Sequence, residues 1–228
     1  MKRYLLGTNE NLRDLGGFIT SKGEETKYFK FIRSDLPQNF KQEDVDFLKK
    51  NNITTVIDLR KEEECLKEEN CLKKYFDYYN ISLIGDKFPN KEEDIASGYI
   101  NILDDFENIK KVLKIILSSK GGIIYNCTAG KDRTGVISML LLIIADIPES
   151  DIIADYEVSY TYIRGFIRKL HNINSEWPAF VGRSNMETME QTLEQFYKKY
   201  GNIDNYLKLI KLSQKEIVKL KKMLISKD

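Results

Sequence analysis

Ten consecutive residues, Asn126-Cys127-Thr128-Ala129-Gly130-Lys131-Asp132-Arg133-Thr134-Gly135, gather a thiol, two cations, a carboxyl group and two hydroxyls. Five residues separate Cys127 from Arg133. With three cysteines and eight arginines in 228 residues, such a pair arises by chance roughly one time in ten, so spacing alone says little. The context says more. A β-rich apolar run ends at the cysteine, a glycine-containing loop follows, and a helical pattern begins near the arginine. A tight loop entering a helix turns successive N–H groups inward and adds about half a positive charge. Such a nest binds a tetrahedral dianion, and here Thr128, Ala129, Gly130, Lys131, Asp132, Arg133 and Thr134 would form it. The same field favours a thiolate over a thiol, making Cys127 a nucleophile at neutral pH. Arg133 would fork onto two oxygens of the anion, which a lysine cannot match in geometry. Thr134 is expected to donate to the sulfur, Gly130 to permit the turn, and Gly135 to let the helix lie close to the strand.

The elements that must hold this loop alternate in type. Tyr28–Arg33, Ile53–Leu59, Tyr78–Ile84 and Gly122–Cys127 read as strands. Helical patterns cover Gln42–Lys50, a charged stretch near Glu62–Tyr75, and Asp104–Ser119. After Cys127 the pattern is wholly helical, over Thr134–Asp146, Glu149–Leu170, Met186–Tyr200, Ile203–Leu212 and Gln214–Ile225. This order predicts an α/β fold, a mostly parallel sheet with helices on both faces. The strand ending at Cys127 should be central, and ligands of such sheets bind beyond the carboxyl ends of the strands.

Composition narrows the possibilities. The chain carries 36 Lys and Arg against 35 Asp and Glu, a net charge of +1, so a nucleic-acid partner is not expected. A single histidine argues against a histidine-rich zinc site or a serine–histidine triad. Cys65, Cys71 and Cys127 are too few, and odd in number, for a disulfide framework, which points to a reducing compartment or a free thiol. The length predicts one domain over residues 1–228, with 148–228 as its helical carboxyl-terminal portion. Lys2-Arg3 precede only three apolar residues, too few for a signal peptide. The apolar run Met139–Ala145 falls short of the roughly 20 residues of a membrane span. The expected location is the cytoplasm, with export by an unusual route left open, and no stable membrane anchor is expected. The runs Lys61–Glu64 and Lys67–Glu69 read as solvated helical faces.

The loop resembles the phosphate-binding signature of cysteine-dependent protein tyrosine phosphatases. Its Ala129–Gly135 portion is similar to that of the bacterial tyrosine/lipid phosphatase family, which has broad phosphoester specificity. Asn11-Leu12-Arg13-Asp14-Leu15-Gly16-Gly17 resembles that family's amino-terminal motif, Arg33-Ser34 a strand-end pair, and Val56–Arg60 its next strand. Tyr200-Gly201 and Tyr206-Leu207 are also similar, so the resemblance covers about residues 9–225. It implies a protein-tyrosine-phosphatase-like sheet and a metal-independent, cofactor-free phosphomonoesterase working through a cysteinyl-phosphate. The implied substrate is a phosphotyrosine protein, with dual specificity or a phosphorylated inositol lipid as extensions, and the implied state is a monomer. One residue departs from the family pattern: Asn126 stands where histidine is usual, so no positive charge is added beside the cysteine.

Loss of the leaving group needs a carboxylic acid. The resemblance favours Asp132, whose pKa a neighbouring thiolate and phosphate dianion would raise. Asp58, at the end of a neighbouring strand, and Asp86, after the Tyr78–Ile84 run, are the alternatives. Lys131 is either a second cation suited to inositol phosphates or a solvated lysine at a helix start. Arg13, Asp14 and Arg60 are expected to form an ion-pair network under the loop rather than touch substrate. His171 and the Cys65/Cys71 pair are expected to be ordinary, a redox partnership with Cys127 being the minor alternative. Trp177-Pro178-Ala179 lacks the acid of a tryptophan–proline–aspartate lid, and Tyr156, Tyr160, Tyr162 and Phe166 read as core or cavity lining. Two other functions compete: a catalytically silent phospho-ligand-binding module, which has no need of the thiolate, and a sulfurtransferase or arsenate-reducing enzyme, which the Lys131-Asp132 pair disfavours.

Overall fold

The alternation of side chains along the strand before Cys127 decides how the layers are built. In the computed structural model, which describes residues 2–84, 91–173, 178 and 180–226, this strand spans Gly122–Asn126 and is buried throughout. Ile123 and Tyr125 point into a large apolar cluster on one face, and Ile124 into a smaller one on the other, as the two-residue period of a strand requires. Two covered faces explain why the run is continuously apolar.

Among the described residues the sheet has six strands: β1 (Lys2–Arg3), β2 (Arg13–Asp14), β3 (Phe31–Ser34), β4 (Ile53–Asp58), β5 (Asp77–Asn80) and β6 (Gly122–Asn126). Their spatial order is β1-β2-β3-β6-β4-β5. The β3, β6, β4 and β5 pairings are parallel, and the short β1 and β2 extend the β3 edge in antiparallel fashion. The expectation of a mostly parallel sheet with β6 at its centre is met, and Ser34, Asp58 and Asn126 end on one side of it.

On the smaller face lies α1 (Gln42–Lys50), which buries Val45 and Leu48 and is capped by the Asp44 carboxylate on the Lys41 amide. α2 (Glu62–Lys67) buries no side chain. The larger face is covered by α3 (Ile95–Asp104), α4 (Phe106–Ser118), α5 (Asp132–Ile144), α6 (Glu149–Ile173), α7 (Met186–Tyr200), α8 (Ile203–Leu209) and α9 (Gln214–Leu224). α5 starts in the loop that follows β6 and is buried on every side from Thr134 to Ile144. Each fully buried Leu or Ile there contributes about 1.5–3 kcal/mol, so the helix that aims the loop is anchored along its whole length.

Three departures have physical causes. The charged stretch 62–75 is not one helix: α2 stops at Lys67 and a single 3₁₀ turn covers Cys71–Lys74. The Arg60 guanidinium takes the Glu68 carbonyl that a continuing helix would use, and Asn70 caps the turn on Leu72. Secondly, α3 was not anticipated, although Ile95, Tyr99, Ile100, Ile102 and Leu103 repeat at helical spacing and are buried. Thirdly, the strand expected over Tyr78–Ile84 spans only Asp77–Asn80. The family-like Tyr200 and Tyr206 are packing residues: their hydroxyls donate to Asp104 and to the Leu103 carbonyl, and their rings pack together with Phe196. No helix is long and apolar enough to cross a membrane among the described residues.

Candidate active site

Gly130 is the pivot of the loop between β6 and α5. Its φ is +66°, and a Cβ there would lie 2.5–2.6 Å from the backbone of Ser34 and Asp35, so the turn needs glycine on both counts. Gly135 differs from expectation. A Cβ there would meet the Tyr156 ring at 3.4 Å and the Arg33 guanidinium at 3.7 Å, ordinary contacts, so its neighbours are α6 and a side chain rather than strand backbone.

Two of the loop's carbonyls, those of Ala129 and Gly130, are held from outside it. Asn11 Nδ2 donates to the Ala129 and Gly130 carbonyls at 2.9 and 3.0 Å, and Arg33 Nη2 donates to the Gly130 carbonyl at 2.8 Å. Both legs lead to Asp155 of α6. Arg13 Nε reaches Asp155 Oδ1 at 2.8 Å and its Nη1 holds the Asn11 side chain, while Arg33 Nη1 pairs with Asp155 Oδ2. All three charged side chains are fully buried. Burial would raise the Asp155 pKa, but the charges of Arg13 and Arg33 bring it below the usual carboxylate range.

Arg13 therefore belongs to the expected ion-pair support, but Asp14 and Arg60 stand elsewhere. Asp14 accepts from the Tyr4 hydroxyl and the Gly16 and Phe29 amides. Arg60 grips Asp58 through Nε and Nη2 at 2.9 and 2.8 Å. Asp58 is fully buried and also accepts from the Tyr78 hydroxyl at 3.2 Å. Asn126 is buried as well, its carbonyl oxygen accepting from Asn70 at 2.9 Å.

Around the mouth, the largest departure is Glu64. The Lys61–Glu64 run predicts a solvated face, yet the Glu64 carboxylate takes both terminal nitrogens of Arg133, at 2.6 and 2.9 Å, and the Thr128 hydroxyl at 2.8 Å. A guanidinium has five N–H donors, so this end-on grip leaves others for an anion while fixing the plane of the fork. Burial would raise the Glu64 pKa, but the Arg133 hydrogen bonds and the Lys61 amide outweigh it and hold it at about 2. The available signal was its position just beyond β4, at the same end of the sheet as Cys127.

On the opposite side of the loop, Asp132 accepts from the Tyr99 hydroxyl at 2.6 Å and pairs with Lys131 at 3.0 Å. Tyr99 also bonds Tyr156 at 2.8 Å. Burial raises the Asp132 pKa, but the Lys131 charge and the Tyr99 hydrogen bond outweigh it, so the carboxyl lies below its ordinary value. This is opposite to the sequence expectation, which counted the anion and not these partners. The Asp132 side chain is 45% exposed and that of Lys131 only 4%, so the carboxylate faces the opening and the lysine does not. Lys131 is thus no solvated lysine; its ammonium also donates to the Arg183 carbonyl at 2.7 Å.

Cys127 is buried at 2% exposure and is a free thiol, as are Cys65 and Cys71. The Thr134 hydroxyl is buried with no partner among the described residues, so the expected bond to sulfur is not made here. His171 contacts the Val181 carbonyl, and Tyr156 is core while Tyr160 is 38% exposed. Asp86, Trp177 and Ala179 lie outside the described residues. No group of three His, Cys, Asp or Glu side chains is placed to hold a metal among the described residues.

A mostly parallel α/β sheet with this loop at the carboxyl end of its central strand defines a phosphoric monoester hydrolase of the tyrosine-phosphatase type. The chain belongs to the tyrosine phosphatase family, whose profile matches residues 5–226. It is 29% identical over 216 residues to a tyrosine-protein phosphatase of Nostoc commune, covering 84% of this chain and 72% of that one. Among solved structures it is similar to a P. aeruginosa TpbA variant in complex with pTyr, at 14% identity and TM-score 0.38, over 67% of this chain and 90% of that one. It is also similar to the core catalytic domain of the PP-IP phosphatase SIW14 from S. cerevisiae, at 19% identity and TM-score 0.38, over 67% and 94%.

Proposed function

We propose that the chain hydrolyses phosphotyrosine in two steps through a cysteinyl-phosphate on Cys127. The observation that carries this reading is the doubly braced loop, its carbonyls tied to Asn11 and Arg33 and its arginine squared by Glu64. In the first step the Cys127 thiolate attacks phosphorus, the S–P bond forms as the P–O bond breaks, and Asp132 gives its proton to the leaving phenolate. In the second, water attacks phosphorus, Asp132 takes the proton back, and the thiolate leaves as inorganic phosphate is released. The amides of Thr128–Thr134 and the Arg133 fork stabilise the charge on the equatorial oxygens throughout. Thr134 donates its unpartnered hydroxyl to the sulfur.

Asp132 is preferred to Asp58 because its carboxylate reaches the opening, while Asp58 is fully buried and held by Arg60. Its lowered pKa means that the proton must arrive with the substrate, either on a phosphate monoanion or by uptake once a dianion sits beside the carboxyl. The intact thiol distinguishes this reading from a silent binding module. Activity on phosphoserine, phosphothreonine or phosphorylated inositol lipids is a secondary extension, weakened by the engagement of Lys131 with Asp132 and Arg183. The reading takes residues 1–228 as one domain, with 148–228 its helical portion, because Asp155 of that portion completes the support that Arg13 and Arg33 give the loop.

The test is phosphate release from phosphotyrosine, phosphoserine and phosphoinositide substrates, without added metal. Wild type is expected to prefer phosphotyrosine, and Cys127→Ser to fall by at least about 10⁴-fold. Asp132→Asn should remove the basic limb of the pH–rate profile and suffer most on poor leaving groups, whereas Asp58→Asn and Asp86→Asn should keep that limb. A wild type inactive on every substrate would overturn the enzyme reading.

A further inference from the structure

At the other end of the sheet the charges are arranged differently. A cavity of about 430 Å³ lies between the segment leading into β3 and helix α9, lined by Lys27, Lys30, Lys215, Lys219 and Lys222 with Val218 and Met223. None of the described lining residues is acidic. Three of the ammonium groups are not free to swing apart, because each is fastened to a backbone carbonyl. Lys30 donates to Gly121 at 2.6 Å, Lys219 to Leu117 at 2.7 Å and Lys27 to Lys222 at 3.0 Å. An ammonium has three donors, so each keeps two after that bond.

We propose that this cavity is a second anion-binding site, taking a small molecule that carries several phosphate groups. Five cations around one opening leave a local excess of charge in a chain whose net charge is only +1. Fixing like charges together with no carboxylate among the described lining residues costs free energy that a bound polyanion recovers. Lys30 registers the strain: partial burial, then the charges of Lys27 and Lys219, lower its pKa. The volume lies within the range of small-molecule sites, about 300–1,000 Å³, which exceeds what a single phosphate needs. Gly121 precedes β6 and Cys127 follows it, so at about 3.3 Å per residue the site lies roughly 20 Å from the nucleophile. An anion held there does not compete with substrate.

The experiment is isothermal titration of inorganic tripolyphosphate at low ionic strength into the full chain carrying Arg133→Met, which removes the catalytic fork. One molecule per chain is expected to bind, at least about tenfold more tightly than orthophosphate. Adding Lys30→Gln and Lys219→Gln should weaken it by at least about tenfold, and the exposed pair Lys215→Gln and Lys222→Gln, which leaves the fold untouched, should weaken it by several-fold. Absence of binding, equal affinity for orthophosphate, or binding indifferent to both lysine pairs overturns the proposal. So does binding to vesicles containing phosphatidylinositol bisphosphate with none to tripolyphosphate, which would make this face a membrane contact. The titration needs no turnover, so its result stands apart from that of the phosphatase assays.

Discussion

The two ends of the sheet treat positive charge in opposite ways. At the carboxyl end every cation near the loop meets a carboxylate: Arg133 with Glu64, Lys131 with Asp132, Arg60 with Asp58, and Arg13 and Arg33 with Asp155. At the amino end Lys27, Lys30 and Lys219 meet only backbone carbonyls among the described residues. A paired and buried cation has one orientation, which is what aiming a loop requires, and a removed partner leaves an uncompensated charge. An unpaired cation costs less to build at the surface and stays available to a passing anion. Pairing makes geometry; its absence makes affinity.

This contrast is tested most severely by Asp155→Asn. It leaves two buried guanidinium groups without their shared carboxylate, and stability should fall by about 3 kcal/mol or more, read from urea denaturation at unchanged m. A loss below 1 kcal/mol would mean that Asp155 does not anchor the two arginines. Next comes Glu64→Gln, which keeps the shape but drops the charge holding Arg133. Turnover of phosphotyrosine should fall about tenfold through misorientation of the fork. Stability carries a pH signature as well. The Glu64 carboxyl is depressed from 4.5 to about 2 in the folded protein, so its contribution is complete above pH 4.5 and lost as pH falls toward 2. The gap between wild type and variant should therefore be constant above pH 4.5 and close below it.

A smaller effect is expected from Tyr99→Phe. Loss of that hydroxyl removes one of the influences holding the Asp132 pKa down, so the basic limb of kcat/KM should move to higher pH. Movement to lower pH would show that another group is the acid. The smallest change belongs to the lysine end: Lys215→Gln should alter stability by only about 0.3 kcal/mol in low salt, always as a gain. The gain should vanish in high salt, where exposed charges are screened. A loss there would break the contrast between the two ends.

Much of this was legible in the sequence. The strand–loop–helix order around Cys127 places the loop at the end of the central strand, and β6 reads as buried because it has no polar alternation. Glu64 was hidden by its company, since a lone functional carboxylate inside Glu62-Glu63-Glu64 carries the same local pattern as a solvated face. Asp155 was equally silent, because nothing local marks an acid on α6 as the partner of two arginines more than a hundred positions earlier. The adjacent Lys131 lowers the Asp132 pKa most, and the further lowering comes from Tyr99 on α3, a contact across 33 positions. In each case the missing information was a long-range contact, which neither periodicity nor spacing encodes.

The brace on the loop after β6 also sets a timetable. The Asn11–Gly130 bond spans 119 positions and the Arg13–Asp155 bond 142. Contacts of such separation form late in folding, after the local helices and turns. At a synthesis rate of about 5–20 residues per second, Arg13 waits on the order of ten seconds for Asp155 to be made. Until then Asn11 and Arg33 can reach the loop carbonyls, but the carboxylate that fixes Arg13 and Arg33 behind them is absent. The loop is therefore expected to reach its fully braced form only when α6 docks, after Cys127 has left the ribosome.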